Sequence, residues 1–285
     1  MKKSFIKYIT ALLLFGSNGI VASNINLKSY EIVFLRTGIG SILLIVLFLL
    51  KIRKTKIIKN RRDIMFITLS GMAMGISWIC LYEAYAQIGV GISSLLYYCG
   101  PVIVMALSPV LFRERLTFRK IIGFVFVMTG IFFVNKTVSG ENIRVYGIVC
   151  GIISAFMYAF MVIFNKYTKE IKGLENSMVQ LFVSFLTVAV FTAVKSGAVI
   201  HISSDYAVWI LILGLINTGL GCYFYFSSIG NLKVQTVAVC GYLEPLSAVV
   251  FSVLILKEEM LPIQLAGAFL IICGAAVCEL KRVKN

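Results

Sequence analysis

Glu244 and Pro245 stand about eleven residues into an apolar run that begins near residue 233. At 1.5 Å per helical residue this brings the carboxylate close to the middle of a bilayer. A carboxylate at that depth is costly and marks a functional position by default. Two readings stand. Glu244 lines a cavity, where it meets a cationic group of a solute or binds a proton. Or it is a protonated side chain bonded to a carbonyl that Pro245 frees by removing one helical hydrogen bond. Glu83 is a second intramembrane carboxylate, shallower, with Cys80 and Gln87 on its face. It is read as an outer-vestibule residue and, beside Glu244, as a candidate for proton coupling. Arg36 lies about six residues inside an apolar run and is read as an anchor that snorkels to the interface, with attraction of an anionic solute as the lesser alternative.

Hydroxyls, amides and aromatic rings accompany these charges. Asn18, Trp78, Tyr82, Ser94, Tyr97, Tyr98, Tyr158, Asn217 and Tyr225 all fall inside long apolar runs. Polar groups in hydrocarbon are best turned into a bundle or a watery cavity, and aromatic walls with a few polar groups suit an amphipathic metabolite. With Glu244 these nine residues are the expected substrate cavity. Each aromatic taken singly also fits helix packing or an interfacial belt. Pro101 and Pro245 are expected to bend their helices and help gate the cavity. No Cys/His ligand spacing occurs, the one histidine, His201, sits in a connecting segment, and the seven cysteines all lie in apolar runs. No metal, cofactor or disulfide framework is expected.

The runs that must position these residues dominate the composition. The chain is 60% hydrophobic and 14% charged, with a mean hydropathy of +0.96, far from the balance of a soluble domain. Runs near 5–24, 30–50, 64–87, 91–112, 119–135, 144–165, 176–195, 206–229, 233–256 and 262–280 each suffice to cross the hydrocarbon as a helix. Strands of a membrane barrel would alternate polar and apolar instead. No cleavable signal peptide is evident. If the N-terminus is cytoplasmic, 21 of the 27 Lys and Arg fall inside and five outside, which places both termini in the cytoplasm of a multi-pass protein of the cell membrane. The formal charge of +15 is therefore topological, and nucleic acid is not an expected partner.

A shift of 144 positions aligns residues 90–134 with 234–278. Val90/Val234, Tyr98/Tyr242, Pro101/Pro245, Ser108/Ser252, Glu114/Glu258, Gly123/Gly267 and Gly130/Gly274 coincide without a gap. Two of the chain's four prolines are among them. Residues 1–138 and 139–285 are read as two repeats of five helices, and an odd number turns the second upside down. This is the inverted-topology construction of secondary transporters, with the solute near the midplane. Glu114 and Glu258 are expected to stabilise the helix starts near Thr117 and Pro262 through the helix dipole.

The stretches PVIVMALSPVLFRERLTFRKIIGFVFVMTGIFFV from Pro101 and EPLSAVVFSVLILKEEMLPIQLAGAFLIICGAAV from Glu244 resemble the drug/metabolite transporter superfamily, and within it the EamA-like ten-helix transporters. FLRTG at 34–38 and LLLFGSN at 12–18 resemble further elements of that family, although Phe15 stands where the family commonly has tryptophan. The resemblance spans the chain and implies an all-α membrane fold and export of small metabolites such as amino acids. The expected partners are a small-molecule solute and membrane lipid; the oligomeric state stays open. No GxxxxGK[ST] string is present, so ATP hydrolysis by this chain is not expected. A lipid or amphipathic-compound flippase or scramblase is the alternative, distinguished by a groove open to lipid. An integral-membrane enzyme would need a constellation of catalytic groups at one depth, which is not visible.

Overall fold

A computed structural model describes residues 2–51, 61–100, 103–104, 107, 111, 118–135, 142–196, 204–229, 240–241 and 243–279. Pro101, Glu114, His201, Lys233, Val234 and Tyr242 lie outside the described residues.

Among the described residues the ordered elements are all helical. They are α1 (Lys2–Gly16), α2 (Asn18–Ser23), α3 (Ser29–Lys51), α4 (Arg61–Ile88), α5 (Val90–Tyr97), α6 (Phe118–Asn135), α7 (Asn142–Tyr167), α8 (Leu174–Ser196), α9 (Ser204–Leu211), a π-helical stretch Ile212–Leu220, α10 (Gly221–Ile229), α11 (Leu243–Leu254) and α12 (Pro262–Glu279). Among the described residues, six helical segments are long and apolar enough to cross a membrane: Lys3–Ser23, Ser29–Lys51, Arg61–Ile88, Val145–Tyr167, Leu174–Lys195 and Ser204–Tyr225. Leu50, Phe118, Val194 and Phe269 are largely exposed on the outside of the bundle. An apolar exterior of this kind suits lipid, where backbone groups must be satisfied within each helix.

Small residues and hydroxyls bring the helices together. The hydroxyl of Ser77 donates to the Ser154 carbonyl at 2.7 Å and that of Ser154 to the Ser77 carbonyl at 2.8 Å, which joins α4 to α7. Such interhelical bonds contribute about 1 kcal/mol each. Gly71 and Gly75 face α8: a Cβ at Gly71 would stand 2.8 Å from the Gln180 carbonyl oxygen, and one at Gly75 3.0 Å from that of Ser184.

Two helix pairs separated by about 144 residues pack antiparallel. In one, a Cβ at Gly130 would lie 2.6 Å from the carbonyl oxygen of Gly267, and one at Gly274 would lie 2.7 Å from that of Gly123. The start of α6 therefore meets the end of α12, and the reverse, through the glycines that the 144-residue shift had matched. In the other, α3 crosses α8: Tyr30 packs on Phe191, Phe34 on Phe185, and Gly40 against Leu181.

Two spans depart from a continuous α-helix. The first breaks at Ser17, between α1 and α2. The Leu14 carbonyl at the break accepts from Ser17 Oγ at 2.8 Å and from Asn217 Nδ2 at 2.8 Å. The span Ser204–Tyr225 passes through the π-helical stretch, where Thr218 Oγ1 donates to the Leu213 carbonyl five residues back at 2.7 Å. The first irregularity coincides with the small and polar residues Gly16, Ser17, Asn18 and Gly19, whereas the π-helical stretch ILGLINTGL stays largely apolar, so hydropathy does not reveal it. Wide turns of this kind are frequent at functional sites.

Candidate functional site

The break in the first span sets the position of the site. Gly16 is pressed against α11 so closely that a Cβ would stand 2.0 Å from Ser247 Oγ and 2.9 Å from the Glu244 carbonyl oxygen. The next turn projects Asn18 inward. Phe15, Gly16 and Asn18 from the first span, Arg36 from α3, Trp78, Leu81 and Tyr85 from α4, Ser94, Tyr97 and Tyr98 at α5, and Glu244 and Ala248 from α11 line one cavity of about 30 Å³. That holds about two waters, whereas a drug-sized ligand site needs roughly 300 Å³ or more. The described space is therefore water-sized, and entry of a metabolite requires the helices to part.

The charges are held differently. Arg36 is 2% exposed. Its Nε donates to Thr218 Oγ1 at 2.9 Å and one Nη donates to the Tyr82 hydroxyl. The guanidinium carbon lies 4.6 Å from the Trp78 ring centroid and 5.0 Å from that of Tyr82. Desolvated cation–π contacts contribute about 2 kcal/mol, against a desolvation penalty of several kcal/mol for a buried ion. Thr218 is available because the π-helical stretch turns it towards α3. Glu244 faces the cavity, with Tyr98 within hydrogen-bonding reach of its carboxyl. Asn18 is 9% exposed and its Oδ1 has no hydrogen-bond partner among the described residues, an unusual condition for a buried polar atom.

Asn18, Trp78, Ser94, Tyr97, Tyr98 and Glu244, six of the residues that sequence pattern nominated, share this cavity. The other four surround it. Tyr82 supports Arg36. Tyr158 packs edge-on against Tyr97, with centroids 5.0 Å apart. Asn217 braces the helix break through Leu14 and Ser17. Tyr225 packs on Tyr8 and Phe15. Glu83 does not line the cavity; it accepts from Gln87 Nε2 at 3.0 Å. Pro245 sits in the first turn of α11, where a missing N–H leaves no helical bond unmade.

The chain as a whole has known counterparts. A model of the EamA-like transporter family matches it twice, over residues 3–136 and 145–279. This protein belongs to the EamA-like transporter family. It is 22% identical over 97% of its length, and 89% of the relative's, to a Bacillus subtilis (strain 168) protein named uncharacterized transporter YxxF. It is 24% identical over 65% of its length, and 65% of the relative's, to a Salmonella typhimurium protein named probable amino-acid metabolite efflux pump. A crystal structure with 15% sequence identity superposes with a TM-score of 0.69 over 97% of this chain and 98% of that one, which shows a shared fold. The names of family and relatives indicate a transporter rather than an enzyme.

Two expectations for this EamA-like protein are corrected by the geometry. Arg36 does not snorkel to an interface. Burial against Trp78 and Tyr82, with hydroxyl acceptors on two helices, keeps it in the cavity. Glu258 does not serve the helix at Pro262. Its Oε1 and Oε2 accept from the backbone N–H groups of Val90 at 2.7 Å and Gly91 at 3.0 Å, the free donors at the start of α5. The helix at Pro262 is capped instead by Gln264, whose Oε1 accepts from the Leu261 N–H at 2.9 Å. Sequence reasoning also left Phe15, Gly16, Leu81, Tyr85 and Ala248 off the cavity wall. Gly16 carried the one usable signal, its place inside the LLLFGSN element.

Proposed function

We propose that this protein is a secondary transporter that exports small metabolites such as amino acids across the cytoplasmic membrane by alternating access. Its ten helices form two inverted five-helix repeats, 1–138 and 139–285, with both termini cytoplasmic. The observation that carries the reading is the polar cavity, which gathers Arg36, Asn18, Trp78 and Tyr97 from the first half and Glu244 from the second. A family model matching each half in turn supports the repeats. So does the antiparallel packing of α6 on α12 through equivalent glycines: rocking one inverted half against the other opens a midplane site to either side. The relative named as an amino-acid metabolite efflux pump supports the solute class. Glu244 is the residue for proton coupling or for a cationic group of the solute, and Pro101 is a point of bending.

The test is reconstitution into liposomes with labelled amino acids, sugars and nucleosides, with and without an imposed proton gradient. Saturable, protein-dependent flux of at least one solute is expected. Flux indistinguishable from empty liposomes for the whole panel overturns the reading. Glu244→Gln is expected to reduce flux and to abolish any dependence on the proton gradient. Unchanged transport and unchanged gradient dependence in this variant would remove Glu244 from the mechanism.

A further inference from the structure

The cavity holds two side chains of opposite charge type, and what they require of a solute follows from the cost of leaving either unpaired. Arg36 spends two of its N–H groups on the neutral hydroxyls of Thr218 and Tyr82. These satisfy hydrogen-bonding capacity without neutralising its charge, and a guanidinium carries five donors in all. Glu244 presents its carboxyl from α11 into the same small space. Asn18 adds a nine-tenths-buried Oδ1 that lacks a donor among the described residues.

We propose that Arg36 receives a carboxylate and Glu244 an ammonium group of one zwitterionic solute, with Asn18 Oδ1 accepting one of the ammonium hydrogens. This deepens, and rests on, the transporter reading above. A solute entering between the two side chains separates them. An uncharged solute leaves both charges unpaired. A simple amine compensates Glu244 and strands the guanidinium, and a simple carboxylate does the reverse. A stranded buried charge costs several kcal/mol. Only a solute bearing both groups compensates both side chains, and guanidinium and carboxylate match as two parallel hydrogen bonds. The aromatic walls at Trp78, Tyr85 and Tyr97 offer apolar contact to a side chain once the helices part.

The experiment uses the full chain in liposomes and compares three labelled series at a pH where every group is charged. One is L-phenylalanine, phenethylamine and 3-phenylpropionate. The second is L-leucine, 3-methylbutylamine and 4-methylpentanoate. The third is glycine, methylamine and acetate. Sugars and nucleosides complete the panel. In at least one series the zwitterion is expected to be transported on the order of tenfold faster than both single-charge partners. Arg36→Lys, which keeps the charge but loses the paired donors, is expected to weaken zwitterion transport and narrow that preference. An amine or an acid moved as well as its zwitterion in every series that is transported, or transport confined to sugars or nucleosides, overturns the zwitterion assignment and leaves the transporter reading standing. No flux of any solute overturns both. The wild-type comparison needs no variant, so a poorly folding Arg36→Lys protein does not blunt the test.

Discussion

Gly16 lies directly beneath Ser247, with 2.0 Å between its virtual Cβ and Ser247 Oγ. The contact joins the broken first span to the helix that carries Glu244, so the two polar walls of the cavity are set by one close approach. A methyl group at position 16 has to displace both the Ser247 side chain and, at 2.9 Å, the Glu244 backbone. Overpacking of this kind costs about 1–3 kcal/mol. Gly16→Ala is expected to lower the melting temperature of the detergent-solubilised protein and to reduce transport, and Gly16→Val to do more. Ser247→Gly added to Gly16→Ala removes the nearer of the two clashes and is expected to restore part of the stability. Additive losses in the double variant would show that the two positions do not touch.

Tyr82 was expected in the cavity wall but stands one layer behind, where its hydroxyl receives an Arg36 N–H. Tyr82→Phe keeps the ring beneath the guanidinium and deletes only the acceptor. Leaving a buried charged donor unsatisfied costs about 1–3 kcal/mol. The variant is expected to remain folded, with lower stability and weaker solute affinity. Thr218→Val deletes the other acceptor and is expected to act similarly. Because both serve one guanidinium, the double variant should depart from additivity. Melting curves and transport KM for the two single variants and the double variant check this.

The six long spans were legible because uninterrupted apolar runs admit little besides helices in a bilayer, and the four glycines that the 144-residue shift singled out all lie where α6 meets α12, each against the partner of the other pair rather than its own equivalent. The cavity was only partly legible. Asn18 and Glu244 announced themselves as polar groups within hydrocarbon. Arg36 was misassigned because depth and side-chain length permit snorkelling. What holds it inward is Thr218, 182 residues away in sequence, presented by a π-helical stretch with no hydropathy signature. Glu258 was misassigned for a related reason. The helix start nearest in sequence lies at Pro262, whereas the free N–H groups nearest in space belong to Val90 and Gly91.

That cross-chain cap yields its own prediction. Glu258→Ala leaves two backbone donors at the start of α5 without a partner, in a stretch where Gly89 turns with φ +81°. Capping and dipole interactions together contribute about 1–2 kcal/mol. Glu258→Gln retains one acceptor oxygen and loses the charge. Stability is expected to fall in the order wild type, Gln, Ala, read from thermal unfolding in detergent. Equal melting temperatures for all three would show that the cap does not hold α5.

The antiparallel meeting of α6 and α12 is testable by chemistry at the four glycines. Gly130 abuts Gly267 and Gly274 abuts Gly123, so each near pair joins the end of one helix to the start of the other. Cysteines introduced at 130 and 267, in a background whose native cysteines are replaced by serine or alanine, must part the two backbones slightly and are expected to cross-link under mild oxidation in membranes. Cysteines at 123 and 274 should do the same. The pair 130 and 274 joins equivalent positions near the far ends of antiparallel helices. Along α6 and α12, seven residues of offset amount to about 10 Å, beyond the reach of a disulfide, whose Cα atoms lie within about 7 Å. Cross-linking at 130 and 274 with none at 130 and 267 would require the two helices to run parallel. The second half would then enter the membrane the same way up as the first, and a rocking mechanism built on inversion would have no basis.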